Sequence, residues 1–558
     1  MANLDTRSKR SSSILNRLPF RRSLPLPDGT ISQGDRQHIA WAYSGILAAT
    51  ATQTGLQTAT LVVQMYLSAA WVDVSADVMN SPYISWETGI QSDDPTALVA
   101  EVGKLEFWLD NSTGNSAGLL GYYSPGHANA RTGFELGTRV RIKTTRLGSD
   151  RYQFHGRISE IIPEPGSKRG RKVHVTVTDY MEEMSARFVD LLTLQSNKTS
   201  DQLLTTLISG MDFAPIATSY DTGPDTFASA FHDILGEKQV VATVAQKIAQ
   251  SDLSRIWVTG DTTGGETLVM INRQDDIGKT SQLTLTNTLT DLEVKRSRST
   301  IANKIAVSFR PILEGTGVEV LYTVPDEISI TSGRSYSFTA LFRDPDGGSR
   351  LNGKDMITPV ADTDYKMSSV SGSGNDLNGS LGISITFGSD RAEITLTNNH
   401  ATATGYVWLF QLRGTALRLR DALEVAYTDA TSVTAYGEKR LQYDTPYQNN
   451  INTTQSIADY LGTKWANPKN KISNIGFVGN VSSTLMNAAV NRDLGDMITL
   501  TETVTGISED RVIIGRKVVV RSGIWRVEYN TKDSDSGDFW LLGTSGSSEL
   551  GQTTTLGF

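Results

Sequence analysis

The residues best suited to acid–base or metal chemistry in this 558-residue chain are six histidines: His38, His127, His155, His174, His232 and His400. No two lie three to five residues apart, so the helical spacing by which paired imidazoles grip zinc is absent. His155 and His174 fall in strand-like runs where a small barrel would let them face each other, but polar-face strand positions account for both. The chain has no cysteine, which excludes disulfides, thiolate nucleophiles and Cys-ligated zinc. No Gly-x-Ser-x-Gly elbow, P-loop or dinucleotide glycine fingerprint occurs in a strand–turn–helix setting.

Carboxylates are plentiful, yet glycosidase-type pairs are spaced by the fold and not by the chain. Asp73, Asp77, Asp110 and Asp179 stand at strand ends, where Asp closes turns through its own side chain. Asp344-Pro345-Asp346-Gly347-Gly348 offers oxygen ligands but lacks the longer set of spaced carboxylates of a calcium loop, so it reads as a turn. Lys168-Arg169-Gly170-Arg171-Lys172 is the densest basic run. It fits a solvated hairpin tip, with docking onto an acidic neighbouring subunit as the functional alternative. The sequence thus assigns no catalytic, cofactor-binding or metal-ligating residue.

The elements behind these residues are mostly strands. Trp71-Val72-Asp73-Val74 ends a long strand expected from Thr58. Lys104–Asp110, Arg139–Lys143, Gln153–Ile158 and Val173–Tyr180 then alternate apolar and polar residues at period two, the mark of strands with one wet face. Several such runs joined by Gly/Pro/Asn turns predict a small antiparallel barrel over 58–190. An α+β module follows over 191–291, with helices at 200–208, which opens on an N-cap type residue, and 239–251, the second laid on a hairpin of 255–261 and 267–272. Strands over 292–310 are expected to join a second barrel. A β-sandwich is inserted at 311–420, with a mobile Gly/Ser-rich loop at Ser368–Ser380. A connecting helix region spans 421–470, its helix capped by Thr454 and running Gln455–Trp465. The second barrel occupies 471–558 and closes with a strand at 539–543. The expected class is therefore mainly β with α+β parts, multidomain, with two barrels that hint at duplication.

Composition agrees with a folded, turn-rich protein: 38% hydrophobic and 20% charged residues, with 49 glycines against 16 prolines. Residues 1–57 form a basic, Ser-rich arm and lead-in that is expected to be flexible, its first residues lacking the apolar stretch of a secretory signal. The region 39–74 is too interrupted by Gln, Thr and Gly for a membrane span. A net charge of −8 argues against gripping nucleic acid through counterion release, and suits a conduit that does not hold what passes through it.

An ordered series of motifs resembles the tail-tip and baseplate-hub proteins of long-tailed, siphovirus-like bacteriophages. It runs through Trp71-Val72-Asp73-Val74, Ile84-Ser85-Trp86-Glu87-Thr88-Gly89, Leu105 to Asn111, Tyr122-Tyr123-Ser124-Pro125, Gly137 to Ile142, Phe154 to Ile158 and Val175 to Asp179. It continues with Ile248-Ala249-Gln250, Ile301 to Val307, Ser432 to Gly437, and the ending from Trp525-Arg526-Val527 to Leu556-Gly557-Phe558. The resemblance covers most of 60–310 and 430–558. It implies two hub barrels per chain, trimerised into a pseudo-sixfold ring that matches a hexameric tube. The expected role is then a structural virion protein of the tail tip, assembled in the host cytoplasm, that closes the tail tube and passes DNA during infection. Implied partners are the tube or distal tail ring, the tape-measure protein and a central fibre or spike, with possible contact to the host envelope. No enzymatic activity is expected, since no further domain follows the second barrel. The alternatives are a saccharide-binding adhesin acting through Tyr322, Tyr336 and Trp408 of the insert, aromatics that core packing explains more simply, and an envelope-degrading tail enzyme.

Overall fold

The strand expected at Lys104–Asp110 pairs antiparallel over its whole length with Lys172–Thr178, Leu105 opposite Val177 and Leu109 opposite Val173; the latter was expected over Val173–Tyr180, but Asp179 and Tyr180 open a short helix instead. Alternation decides their faces: Leu105, Phe107, Leu109, Val173, Val175 and Val177 are all buried. In this computed structural model, residues 56–92, 96–166, 170–232, 238–260, 266–277 and 279–534 are described. The basic arm up to residue 55, Lys168-Arg169 and the closing strand expected at 539–543 lie outside them.

The first strands are β1 (Thr60–Leu67), β2 (Ala70–Asp73), β3 (Ile84–Gly89), β4 (Lys104–Asp110), β5 (Arg139–Arg146), β6 (Ser149–Glu164) and β7 (Lys172–Thr178). The strand expected from Thr58 to Val74 is a hairpin instead. Ser68 and Ala69, with φ of 50° and 65°, form a two-residue turn in the left-handed region that folds β2 back on β1.

The described strands do not close into two barrels. They run in the order β2-β1-β5-β6-β7-β4-β3 and continue through Ile507–Arg521, Ile524–Asp533 and Lys471–Val478 to Asp291–Lys295, in one sheet of 13 strands. The reason lies at β3, which has a partner on each side. Trp86 stands opposite Leu105 of β4 and opposite Val518 of the 507–521 strand. The first set therefore runs directly into the second. Met497–Glu502 branches from the same 507–521 strand and carries Thr284–Leu285, so β2, Asp291–Lys295 and Thr284–Leu285 are the end strands of the sheet among the described residues. Residues 511–516 are buried without alternation, as befits a strand covered on both faces.

This junction is tight. Gly89, at φ +84°, would place a Cβ 2.4 Å from the Ile514 carbonyl oxygen, and Gly515 would place one 2.3 Å from that of Ile90. Beside it, Arg516 donates to Gln153 Oε1 at 2.6 Å and to the Ala489 carbonyl. Gln153 Nε2 in turn donates to Thr144 Oγ1 and the Val490 carbonyl, each at 2.8 Å. This buried chain of hydrogen bonds ties β5, β6 and the 507–521 strand to the helix Ser483–Asn491, which Ser482 caps.

In the α+β part, Glu266–Ile271 pairs antiparallel with Arg255–Gly260 and parallel with Ala217–Tyr220. The expected helices are Ser200–Ser209, with Ser200 its first residue and not its cap, and Val241–Asp252. Val241, Val244, Ile248 and Ala249 bury one stripe of the second. Their side chains share one core with the large sheet, while a separate core around Leu321, Phe342, Ile394, Val407 and Phe410 serves the inserted segment.

That insert consists of a six-stranded and a three-stranded sheet, organised by the long strand Gly405–Leu419. The loop expected at Ser368–Ser380 is largely a hairpin, Tyr365–Val370 against Ser373–Asp376, which turns at Ser371-Gly372. Of the strands expected to join the second barrel, Asp291–Lys295 does pair with Lys471–Val478. Lys304–Phe309 instead lies between Leu423–Thr428 and Arg440–Asp444 in a sheet of its own. Helix Ile451–Trp465 starts a turn earlier than expected because Asn450, not Thr454, caps it.

Replacing Gly515 by Ala forces the β3 junction apart and is expected to cost about 1–3 kcal/mol of stability. Urea unfolding followed by fluorescence measures this; a variant as stable as the parent would show that the junction yields.

Candidate functional site

The sequence-identified histidines do not converge. His38 lies outside the described residues. His127 and His400 accept backbone hydrogen bonds within their own loops, and His232 packs edge-on against Tyr447. His174 stacks on Trp108 with ring centres 4.4 Å apart. It stands opposite Ile162 in the β6–β7 register, seven residues along β6 from His155, or roughly 23 Å at about 3.3 Å per residue. The two strand histidines therefore never face each other.

His155 is not on a wet face either. Its Nδ1 lies 3.2 Å from Glu266 Oε2, the two side chains 0% and 2% exposed, with the Trp71 ring edge-on at 5.4 Å. Glu266, 111 residues away, carried no signal at the level of sequence. The pair pins β6 to the Glu266–Ile271 strand, and neither group is open to a substrate. Nearby, Asp179 caps the short helix Tyr180–Ala186 by accepting from the Met181 N–H at 3.0 Å. Burial pushes its carboxyl up to about 7. Backbone hydrogen bonds from the 103 and 181 positions oppose this, and the negative charge of Glu266 adds to it.

The other strand-end aspartates also do structural work. Asp73 and Asp110 each accept from a backbone N–H two residues on, at 2.8 Å. Asp77 is buried and accepts from the Ser116 N–H and hydroxyl and from the Tyr123 hydroxyl, which Arg131 approaches at 2.7 Å. Asn111 adds bonds to the Tyr123 N–H and the Ser124 hydroxyl. The Tyr122–Pro125 motif is thus the anchor of a long loop. Asp344 accepts from Arg418 Nε at 2.8 Å, and that bond holds its carboxyl below the usual range. Lys172 reaches Glu164 at 3.3 Å across its hairpin. Among the described residues, no group of three or more His, Asp or Glu is placed to hold a metal ion.

The structure does gather a cluster of stacked arginines and aromatic rings. On the half-buried face of β1, β2, β5 and β6, the Arg139 guanidinium lies 3.8 Å from the Tyr66 ring centre. That of Arg141 lies 4.0 Å from Trp71 and 4.5 Å from Tyr152, with its Nε donating to Gln64 Oε1 at 2.8 Å. Stacking holds these guanidinium groups in fixed positions beside the edge strand β2. In the insert, Tyr322 packs against the core, whereas Tyr336 and Trp408 are 47% and 44% exposed. Core packing therefore explains only one of the three aromatics singled out from sequence.

No family model and no curated protein matches the sequence. Several solved structures are similar to it. A tail protein from Neisseria meningitidis MC58 is 10% identical, with 86% of this chain and 97% of that one covered and a TM-score of 0.45. The 43 kDa tail protein of prophage MuSo2 from Shewanella oneidensis is 11% identical, covering 85% and 99%, with a TM-score of 0.44. A prophage tail protein from Listeria monocytogenes EGD-e is 8% identical, covering 85% and 95%, with a TM-score of 0.38. At these values the likeness assigns no family, and the functional reading rests on this chain's own residues.

Asp179 gives a pH test. The unfolded chain loses this proton near 3.8 and the folded one only near 7, so its contribution to stability is lost as pH rises through that window. Asp179→Asn keeps an acceptor for the cap and removes the titration. Urea midpoints at about pH 5 and about pH 8 should fall less for the variant than for the parent; equal falls would show that Asp179 ionises normally.

Proposed function

We propose that this chain is a non-enzymatic structural component of a phage-type tail, acting as the tail-tip hub between the tube and a central fibre or spike. The observation that carries this reading is the single sheet in which strands from residues 60–178 and 471–533 are hydrogen-bonded neighbours through β3. It joins both halves of the chain in one sheet with exposed end strands such as β2 and a stacked Arg–aromatic face, features of a subunit that assembles sideways. The ordered motif series resembling tail-tip proteins supports the same reading, and several of its members now have structural reasons. Trp86 packs edge-on against Trp525 at 5.8 Å, Tyr123 anchors its loop, and the Val175–Asp179 stretch ends in a helix cap.

In this reading three copies close into a ring by symmetry, DNA passes through the lumen, and tube and tape-measure proteins contact the two faces. Mass measurement and electron microscopy of the purified protein test this: a threefold ring is the expected result, and a stable monomer under assembly conditions contradicts it. Replacing Arg139 and Arg141 by Ala should weaken assembly about tenfold or more without unfolding the chain, read as the concentration at which rings dissociate.

A second reading, a saccharide-binding role for the insert, is favoured by exposed Trp408, over whose ring Lys366 Nζ lies at 5.3 Å. Glycan-array binding by the whole protein that Trp408→Ala abolishes would support it; no binding to any glycan would remove it.

A further inference from the structure

We infer that the end strand Asp291–Lys295 of one copy of this chain pairs with the open edge of β6, residues 160–164, in a second copy. The inference rests on the assembly part of the reading above and names the joint.

The two halves of the large sheet repeat one another. Their strand orders are β5-β6-β7-β4-β3 and Met497–Glu502, Ile507–Arg521, Ile524–Asp533, Lys471–Val478, Asp291–Lys295. Each opens alike, Glu135-Leu136-Gly137-Thr138-Arg139-Val140-Arg141-Ile142 against Asp493-Leu494-Gly495-Asp496-Met497-Ile498-Thr499-Leu500. Gly137 and Gly495 have φ of 79° and 85°. Their N–H groups donate to the Ile158 and Ile513 carbonyls, each at 2.8 Å, and the N–H groups of those two residues donate back to the Thr138 and Asp496 carbonyls. Just past each isoleucine the ladder to the next strand slips, between Ile158 and Glu160 and between Ile513 and Gly515. Residues 158–164 of β6 therefore correspond to 513–519.

The correspondence shows one missing neighbour. Met497–Glu502 accompanies the 507–521 strand only as far as Val512, and β3 takes its place from Gly515 to Val520. β5 likewise leaves β6 at Arg157, but residues 160–164 beyond it have only β7 beside them among the described residues. Val518, opposite Trp86 of β3, is fully buried, whereas its counterpart Pro163 is exposed and Ile162 is 41% exposed. Asp291–Lys295 is the counterpart of β3. It pairs with Lys471–Val478 as β3 pairs with β4, and has no strand on its other side among the described residues. Laid on β6 in the register of β3, it brings Lys295 and Arg296 alongside Glu160, all three exposed, much as Lys517 meets Glu87 at 3.3 Å within the chain. Pro163 leaves this edge one N–H fewer, a guard against indiscriminate pairing. Each copy thus offers one donor strand and one receiving edge, a head-to-tail contact that engages two neighbours.

The chain has no cysteine, so introduced thiols report without background. Ile162→Cys and Lys295→Cys, both at exposed positions, are made singly and together and treated with a short bismaleimide at concentrations where the parent assembles. The double variant is expected to give covalent dimers and higher multimers, an equal mixture of the two single variants dimers only, and either single variant alone none. Should the double variant fail to fold by circular dichroism, Glu164→Cys with Glu293→Cys, on the same two strands, carries the test with the same expected products. An assembly that does not cross-link, or single variants that cross-link as readily as their mixture, overturns the pairing and leaves the hub reading standing. Cross-linked copies in open chains in place of rings uphold the pairing and contradict the hub ring. A parent that stays monomeric overturns both.

Discussion

The hydrogen-bonded pairing of β3 with Ile507–Arg521 is the constraint on which the rest of the structure depends. Residues about 430 positions apart in the chain become neighbours there, and loop closure over such a length is an entropic cost that burial must offset. The junction supplies that burial. Trp86 and Trp525 meet edge to face, Val518 and Ile84 are buried, and Gly89 and Gly515 let two backbones approach closer than any side chain would allow. Arg516 and Gln153 then lock the same region with buried hydrogen bonds, whose loss would leave charged or polar groups unmatched. Both sides of β3 are thus engaged, which joins the strands of 60–178 and 471–533 in one sheet.

How much of this was legible in the sequence follows from the range of the interactions. Lys104–Asp110, Arg139–Arg146 and Lys172–Thr178 announced themselves by alternation, and Val241–Asp252 by its apolar stripe, because one element's own residues carry those signals. The turn at Ser68-Ala69 did not, since neither residue is the Gly or Asn that such φ values favour. Asn450 and Thr454 are both good caps one turn apart, and local pattern could not choose between them. Barrel closure was expected from alternating strands joined by tight turns and from the resemblance to hub proteins, neither of which says which strands meet across the chain. The partner of β3, which decides the matter, is set by packing across the whole chain.

The same distinction holds for the candidate sites. His155 was visible as a residue type, but its partner Glu266 and the burial of both are long-range facts. Arg139 and Arg141 looked like ordinary polar-face residues until the hairpin of β1 and β2 brought Tyr66 and Trp71 under them. The strand-end aspartates, by contrast, act within a few residues of themselves, and there the local reading was sufficient for Asp73, Asp110 and Asp179.

A single plate built from both ends of the chain should open as one unit. Hydrogen exchange of the native protein measures this most directly, by comparing amides of β3 and Ile507–Arg521 with those of β4 and β7. The account predicts that all four strands share the slowest exchange and the same denaturant dependence. Early, independent exchange across the β3 junction, with β4 and β7 still protected, would contradict it and show two separately folding halves.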